Sequence, residues 1–541
     1  MNSRMMAAAF VALLIVAGSA AVLLFGTGDD QETDEGSVGD NRVDTLTVGT
    51  TMDISDITLY DYGYSRTAAL LTLEALVSIG MDGGYEPSLA KEWETEDSKE
   101  WTFHLRENVT WHDGEEFTAE DVVFSYEYQM EKGDQFAVVQ GELDTIEEID
   151  SHTVRMILKE PNYNFLSAVV VADIIPKHVF QHVEDPSTYS QENATLGTGP
   201  FQFEGFDADA GTCTFSVYED YYLGKANIDQ IVFRVYGNPE TMITVLRNGE
   251  VDTVYDYARG IEHSQVPKLM EKEDISLMTN QSLGITNCLW FNNNETHFQN
   301  ATLREAMSLA IDYQELKQLF TAGYGEIPST GWVPEGTRYY KETPELARNL
   351  TEANRLLDEL GYVDIDDDDM RETPEGDEFR PEVALRADRS EHVRVGQVLE
   401  EYFEEIGVDV KVAPYDQATY FEMLDFTKGY DMAIYGTTFW GMIMHQHYGT
   451  GYVDADFFGW SNVGDPEFQS MVSDLRNASD PEDREQLAHD LQDWYAENLP
   501  QVTLYSIPII QPYNDRYEGY ASNPYRGIIC QETFFSLHQA E

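Results

Sequence analysis

The chain reads WTFHLRENVTWHDGEEFTAEDV over residues 101–122, and this segment has the most specific pattern of strand, turn and helix signals. Trp101–Leu105 and Val109–Trp111 alternate apolar and polar residues, which predicts two strands around a turn. His112-Asp113-Gly114 predicts a second turn. Thr118 to Asp121 has the spacing of a capping box and predicts the start of a helix that carries Val122, Val123 and Tyr126. A scaffold of turn, hairpin and helix cap explains these residue types without a chemical role.

On both sides of this stretch, predicted strands and helices alternate without internal repeats, which indicates a mixed α/β protein. The 541 residues suffice for three to four compact units or for two large lobes. Apolar residues at helical spacing predict helices over Arg66–Ile79 (ending at Gly80), 302–320, 345–360 (ending at Gly361), Val393–Ile406 and Asp483–Glu497. Extended segments are predicted over Thr45–Thr51, Val408–Ala413, Tyr430–Tyr435 and Val502–Ile510.

Negative charge covers the whole chain. The sequence has 33 Lys and Arg against 99 Asp and Glu, a net charge of −66, of which residues 1–42 carry only −4. Such a field repels phosphate backbones, so nucleic acid is excluded as a partner. Dense acidic surfaces need strong counterion screening, which favours a halophilic source, with an acidic protein of an ordinary compartment as the alternative.

The N-terminus carries an uncharged run, Met5–Gly26, that is long enough to cross a membrane once. Arg4 is its only basic flank, which predicts a cytoplasmic N-terminus and an exported globular part. We expect residues 1–26 to be a retained anchor, with a cleaved signal peptide as the alternative, followed by an acidic linker over 27–42. Seven Asn-x-Ser/Thr sequences are further consistent with a glycoprotein outside the cell.

Several segments, in this order, resemble the family 5 solute-binding proteins of ABC importers, the oligopeptide, dipeptide and nickel-binding group. The matching segments are Glu86–Trp93, Trp101–Arg106, Trp111–Gly114, Phe117–Val122, Gly197–Phe201, Arg247–Asp252, Leu303–Ala306 with Ala310–Asp312, and Leu357–Tyr362. The resemblance covers about residues 45–540.

The resemblance implies a two-lobed α/β fold of the periplasmic-binding-protein type II, with an accessory subdomain and a hinge of two crossovers. By analogy, lobe I spans 43–285 plus 505–541 and lobe II spans 286–504. The implied function is capture of a peptide or similar small solute between the lobes and its delivery to the permease subunits of the transporter. A monomer without a cofactor is expected.

Sequence motifs of catalysis are missing: the chain has no Gly-x-Ser-x-Gly elbow, His-Glu-x-x-His sequence or phosphate loop. We therefore expect a binding protein and not an enzyme. An exported hydrolase and a cell-surface structural protein are the alternatives from other classes.

The loop after the predicted strand Tyr430–Tyr435 is the candidate binding loop, because open α/β folds place ligands at strand ends. The family resemblance implies an aromatic cleft wall here, which Trp440 matches, and in peptide binders an Asp that pairs with the ligand's amino terminus. That Asp is absent at the usual spacing, and Asp454 and Asp456 are displaced candidates. The full set of predicted ligand contacts is Trp440, Tyr435, Thr437, Thr438, Asp454, Asp456, Trp290 and Tyr415.

His445 and His447 form the alternative, a metal or metal-chelate site, because two histidines two residues apart face one side of an extended segment. Asp364, Asp366 and Asp368 imitate a calcium loop, but Asp369 stands where the loop needs glycine, so a solvated turn is favoured. Cys213, Cys288 and Cys530 are too few for a disulfide framework, and their sequence leaves one bridge or three free thiols open.

Overall fold

The computed structural model describes residues 41–58, 64, 69–81, 84–132, 142–256, 260–280, 285–294, 297–333, 335, 339–427, 429–437, 463–523 and 526–540. The predicted anchor Met5–Gly26 lies outside these ranges. No helix among the described residues is both long and apolar enough to span a membrane. Arg42–Glu541 forms one compact unit.

The unit contains strands and helices throughout. The strands are β1 Val43–Thr50, β2 Val77–Ile79, β3 Tyr85–Pro87, β4 Ala90–Glu94, β5 Glu100–Leu105, β6 Leu143–Asp150, β7 Thr153–Leu158, β8 Phe201–Asp207, β9 Thr212–Val217, β10 Ile228–Val235, β11 Thr253–Val254, β12 Ile275–Asn280, β13 Ile285–Phe291, β14 Glu382–Arg386, β15 Lys411–Tyr415, β16 Met432–Thr437, β17 Gln501–Tyr505, β18 Ile509–Asn514, β19 Tyr517–Glu518 and β20 His538–Gln539. The α-helices are α1 Ala119–Lys132, α2 Leu166–Val169, α3 Lys177–Phe180, α4 Pro239–Arg247, α5 Val266–Leu269, α6 Ala301–Ala310, α7 Tyr313–Thr321, α8 Leu350–Leu360, α9 Ser390–Glu404, α10 Gln417–Phe421, α11 Pro466–Asn477, α12 Pro481–Asn498 and α13 Gln531–Ser536.

Lobe I is built on a seven-stranded sheet with the order β12-β18-β11-β1-β10-β9-β8. β1 lies parallel to β10 and β11, and Val48 pairs with Phe233 of β10 and with Thr253 of β11. The last three residues of β1, Val48, Gly49 and Thr50, are buried in succession, because both faces of this central strand are covered at its carboxyl end. The predicted strand Thr45–Thr51 is confirmed, starting two residues earlier.

An accessory subdomain carries the stretch 101–122 on a four-stranded sheet of order β4-β5-β7-β6. The predicted strand Trp101–Leu105 is β5, and α1 follows Thr118, whose backbone N–H donates to Asp121 Oδ2 at 3.0 Å as in a capping box. The predicted strand Val109–Trp111 is wrong. Only an isolated bridge from Thr110 to Glu116 forms there, because the chain turns back within a few residues.

The segment Gly197-Thr198-Gly199 packs against the chain at Leu71 and Thr72. A Cβ on Gly197 would lie 1.6 Å from the Thr72 carbonyl oxygen, and one on Gly199 would lie 2.5 Å from the Leu71 carbonyl oxygen. Only glycine permits this approach. The segment is therefore a backbone contact between parts of lobe I.

His112 of the accessory subdomain is hydrogen-bonded to the same segment, Gly197-Thr198-Gly199. The Gly197 backbone N–H donates to His112 Nδ1 at 3.3 Å, and His112 Nε2 lies 3.0 Å from the Gly199 carbonyl oxygen. The two contacts select the neutral tautomer that carries its proton on Nε2. Burial lowers the pKa of His112 to about 4.

Lobe II is built on a five-stranded sheet of order β15-β14-β16-β13-β17. Leu289, Ile434 and Leu504 point to one face, which packs on α6, α8 and α9. Trp290 and Ala433 point to the other face, which packs on α11 and α12. The two faces alternate along each strand, as expected for a sheet covered on both sides.

Arg304 fastens α6 to the residues before β17. Its side chain is 4% exposed and donates to the backbone carbonyls of Phe298, Asn498 and Leu499. Burial lowers the pKa of this guanidinium to about 10. Charge-assisted hydrogen bonds to carbonyl oxygens compensate for removing the cation from water.

Three helix predictions need correction. The predicted helix 302–320 is two helices, α6 and α7, because the Asp312 side chain accepts the Glu315 N–H and caps a new start. The helix predicted over 345–360 begins only at Leu350, after the cap Asn349, and ends before Gly361 as predicted. The predicted helix Arg66–Ile79 is wrong over its described part, which contains a short 3-10 turn at Ala69–Leu71 and strand β2.

Two crossovers connect the lobes. The first leads from β12 to β13, and the second leads from β17 through Ser506-Ile507-Pro508 to β18. β12 pairs with β18 in lobe I and β13 pairs with β17 in lobe II, so both crossovers join neighbouring strands. The exact residue limits of the lobes stay a prediction.

Candidate functional site

The carboxyl ends of three parallel strands meet at one edge of the lobe II sheet. β14 lies parallel to β15 and to β16, so Arg386, Tyr415 and Thr437 end at the same edge. β13 starts at this edge, because its first residue, Ile285, pairs with Thr437 of β16. β17 runs antiparallel to β13 and ends at the same edge, because its last residue, Tyr505, pairs with Asn287. Both crossovers therefore leave lobe II at its carboxyl edge.

Lobe I has the same arrangement. β1, β10 and β11 run parallel, and β12 runs in their direction because it and β11 both lie antiparallel to β18. Asn280 at the end of β12 pairs with Ile509 at the start of β18, so the crossovers also join lobe I at its carboxyl edge. Ligands of open α/β sheets bind outside such edges. The candidate site is therefore the space where the two carboxyl edges adjoin the crossovers.

On the lobe I side, Asp256 holds the loop that follows β1. Its carboxylate accepts the Thr51 backbone N–H at 2.7 Å and the hydroxyls of Thr50 and Thr51 at 3.0 and 2.8 Å. Asp53 then accepts the backbone N–H and hydroxyl of Ser55, which lowers the pKa of this carboxyl group. The loop entering the site is thus fixed by side-chain to backbone bonds.

On the lobe II side, Arg386 organises the edge. Its guanidinium donates to Asp388 Oδ1 at 3.0 Å and to Gln417 Oε1 at 2.8 Å, and lies 5.6 Å from the centre of the Phe421 ring. The bond from Arg386 lowers the pKa of Asp388. Phe421 packs edge-on against Tyr435 at 5.7 Å. A cation, an amide and two aromatic rings thus meet beside the last residues of β16.

Sequence patterns missed Arg386, Gln417 and Asp256. The signal for Arg386 was a strand of apolar residues, Val383 to Leu385, that ends in a cation before a turn. No local pattern predicts its pairing with Gln417, which comes from another element.

The structure places the three predicted ligand-binding residues Tyr435, Trp290 and Tyr415 in different surroundings. Tyr435 lies at the carboxyl edge and its carbonyl accepts the Trp290 indole N–H at 3.0 Å. Trp290 is 1% exposed, so the structure places it in the core of lobe II, where it supports the strand that carries Tyr435. The Tyr415 hydroxyl donates to Glu382 at the opposite end of β14, which raises the pKa of Tyr415 to about 12.

The remaining predicted residues lie at or beyond the end of β16. The structure describes only the backbone of Thr437, which pairs with Ile285. The predicted contacts Thr438, Trp440, Asp454 and Asp456 and the alternative metal ligands His445 and His447 lie outside the described residues.

A second cluster lies where the crossovers meet the lobe II edge. Glu391 accepts the Tyr505 hydroxyl at 2.6 Å and the Asn287 side-chain amide at 3.3 Å. From lobe I, His263 Nε2 lies 2.9 Å from the Pro508 carbonyl oxygen, and its ring stacks on Tyr324 of lobe II at 6.3 Å. Burial lowers the pKa of His263. His263 thus contacts the second crossover and a lobe II ring at the same time.

No arrangement for a resident metal emerges at this site among the described residues. Among the described residues, the only three metal-ligating side chains that come close enough together to share an ion are those of Asp364, Asp366 and Asp368. All three are exposed, and none of them lies in a strand of the lobe II sheet. Cys213, Cys288 and Cys530 are free and buried. Burial raises the pKa of Cys213 and Cys288 to about 12, so neither thiol is activated.

Two α/β lobes that are joined by a double crossover at their carboxyl edges have the architecture of proteins that hold a ligand between domains. The chain belongs to the bacterial extracellular solute-binding proteins, family 5, whose family model (its middle section) matches residues 84–457. The two-lobed α/β fold expected from the sequence is confirmed.

Curated relatives and solved structures agree with this assignment. The dipeptide-binding protein DppE of Bacillus subtilis is 22% identical over 485 residues, covering 84% of each chain. The oligopeptide-binding protein AppA of Bacillus subtilis, solved with a nonapeptide, is 18% identical with a TM-score of 0.73, over 93% of this chain and 100% of AppA. NikA of Brucella suis, solved with Fe(III)-EDTA, is 20% identical with a TM-score of 0.79, over 92% of this chain and 100% of NikA.

Proposed function

We propose that this protein is the extracytoplasmic substrate-binding component of an ABC importer and captures peptides between its lobes. The observation that carries the proposal is the meeting of both carboxyl edges at the double crossover, in a chain of a family whose relatives include peptide-binding proteins. Closure of the lobes would exclude water and strengthen each polar contact with the ligand. The permease subunits of the transporter would receive the closed form.

The alternative within the family is a nickel or metal-chelate binder. It rests on His445 and His447 in the loop after β16, since imidazole nitrogens suit transition metals. An exported hydrolase is not favoured, because the curated relatives that match are binding proteins.

The ligand class is testable on protein purified in high salt, by mass spectrometry and metal analysis of what it retains. A peptide binder should release peptides and shift its tryptophan emission on closure. Trp440→Ala should weaken binding without lowering the thermal midpoint, because a cleft residue contributes little to a lobe core.

Paired substitutions separate the two ligand classes. His445→Ala with His447→Ala should cost a metal-chelate binder tenfold or more in affinity, about 1.4 kcal/mol, and leave a peptide binder nearly unchanged. Asp454→Asn and Asp456→Asn should weaken peptide binding at least tenfold if either carboxylate faces the ligand's ammonium. Unaltered binding in all these variants would show that this loop does not line the site.

We further propose that Met5–Gly26 anchors the protein, with the globular part outside the cell. The protein should then fractionate with membranes and resist carbonate and salt extraction, and a chain lacking residues 1–27 should be soluble and folded. A mature chain starting after about Ala20 in the medium would contradict the anchor. Glycosylation stays a prediction.

A further inference from the structure

The second crossover is held by lobe II at its first residue, Ser506. Glu326 and Ser506 exchange two backbone hydrogen bonds of 3.2 Å each. Gly325 permits this approach, since a Cβ there would lie 2.4 Å from the Ser506 carbonyl oxygen. The next residue, Ile507, packs its side chain against the apolar core of lobe II. The crossover therefore moves with lobe II up to Ile507.

Lobe I holds the same chain from Pro508 onward. The Ile261 N–H donates to the Ile510 carbonyl oxygen at 2.9 Å. Gly260, with a φ of +61°, lies so close that a Cβ there would be 2.6 Å from the same oxygen. Pro508 is held by a side chain, because its carbonyl oxygen accepts the Nε2–H of His263 at 2.9 Å. The two lobes thus hold consecutive residues of the crossover.

Few backbone torsions remain between these two attachments. The peptide bond between Ile507 and Pro508 is planar, and the proline ring fixes the φ of Pro508 at about −65°. The same ring restricts Ile507 to extended conformations. The ψ of Pro508 orients its carbonyl group, which is the group that His263 binds. With that bond in place, bending of the second crossover is confined to Ile507. Without it, the ψ of Pro508 is a further free torsion.

His263 contacts lobe II as well. Its side chain belongs to lobe I, since the helix that follows, α5, packs in a lobe I core cluster. The residue is 6% exposed, and its ring lies on Tyr324 of lobe II with an interplanar angle of 23°. Any rotation of one lobe against the other must therefore shear this ring contact.

We propose that His263 restrains the hinge: its hydrogen bond to the Pro508 carbonyl limits the range of interlobe angles that the protein samples before a ligand binds. This inference goes beyond the proposed function, because it concerns the ligand-free chain and holds for any class of ligand. A hinge with fewer free torsions has less conformational freedom to lose when the lobes close. The restraint therefore prepares the protein for closure.

The test measures interlobe distances in the full-length, ligand-free protein by pulsed electron spin resonance. Spin labels on Asp209→Cys of lobe I and Thr351→Cys of lobe II occupy exposed positions, whereas the three native cysteines are buried. His263→Phe keeps a ring for Tyr324 but cannot donate to Pro508. It should at least double the width of the distance distribution.

His263→Gln retains a side-chain N–H that can donate to the Pro508 carbonyl but has no ring, and it should keep the narrow distribution of the unmodified protein. The exposed His182→Phe is the matched control and should also leave the width unchanged. Equal widths in the unmodified protein and in folded His263→Phe would overturn the restraint, as would equal broadening by His263→Gln. Loss of folding in both His263→Phe and His263→Ala would overturn it too, because neither lobe needs a hinge restraint to fold. Ligand capture is tested separately by what the purified protein retains, so the proposed function stands whichever result is obtained.

Discussion

Transfer from 3 M to 0.1 M KCl is expected to lower the thermal midpoint and to abolish cooperative unfolding. The 99 acidic residues outnumber the 33 Lys and Arg threefold, so two thirds of them would lack a basic partner even if every cation were paired. The repulsion is visible locally, since the charge of Asp368 raises the pKa of Asp366. Lower salt lengthens the screening distance from about 3 to about 10 Å, so each carboxylate repels more neighbours.

Variants of the edge strand β6 make this prediction specific to charge. Asp144 and Glu148 are exposed, so Asp144→Asn with Glu148→Gln removes two charges without touching the core. This variant should have a weaker salt dependence, whereas Lys91→Gln, which removes an exposed cation, should have a stronger one. Equal thermal midpoints at both salt concentrations would refute the halophilic interpretation.

Acidification should destabilise the accessory subdomain through His112. The unfolded imidazole titrates near pH 6.5, whereas the folded one has a pKa of about 4, because burial disfavours its charged form. Protonation of Nδ1 would also break the hydrogen bond from the Gly197 N–H. The folded state therefore binds fewer protons over this window. The contribution of neutral His112 to the free energy of unfolding is complete above about pH 6.5. It falls by about 3 kcal/mol as the pH drops to 4.

Comparison with His112→Gln isolates this contribution from the carboxylates that titrate nearby. Glutamine has no titrating ring, so the difference in unfolding free energy between the two proteins should shrink by about 3 kcal/mol between pH 7 and pH 4. Denaturant titrations at each pH measure it. The exposed His182→Gln is the control and should follow the unmodified protein. Parallel profiles for His112→Gln and the unmodified protein would rule out the proposed linkage.

Sequence patterns correctly predicted the elements whose stabilising contacts come from neighbouring residues in the sequence. The capping box at Thr118 and the glycine stop at Gly361 each involve neighbours within a few residues, and both predictions are confirmed. The helix predicted over Arg66–Ile79 was wrong because its apolar residues pack against several elements, and Thr72 is held by Gly197 and Gly199 from far along the chain.

The candidate site was predictable only in part for the same reason. The sequence predicted an extended segment over Tyr430–Tyr435 before the candidate binding loop, and Tyr435 does lie at the carboxyl edge. The partners that position it come from β13 and α10, which only the folded chain brings together. Trp290 illustrates the limit, since an aromatic residue near a site in sequence is often part of its supporting core.

The order of strands in lobe I constrains how the molecule is assembled. β18 lies between β12 and β11, inside the seven-stranded sheet, yet it follows all of lobe II in the sequence. Until residues 509–514 have been synthesised, β12 has no neighbour in the lobe I sheet and the edge of β11 is open to pairing with other chains. Lobe II, whose strands all precede β18, has every strand it needs at that moment. We therefore expect the lobe II sheet to be complete before the lobe I sheet as the chain is made, so that the part of the globular chain made first is the last to close.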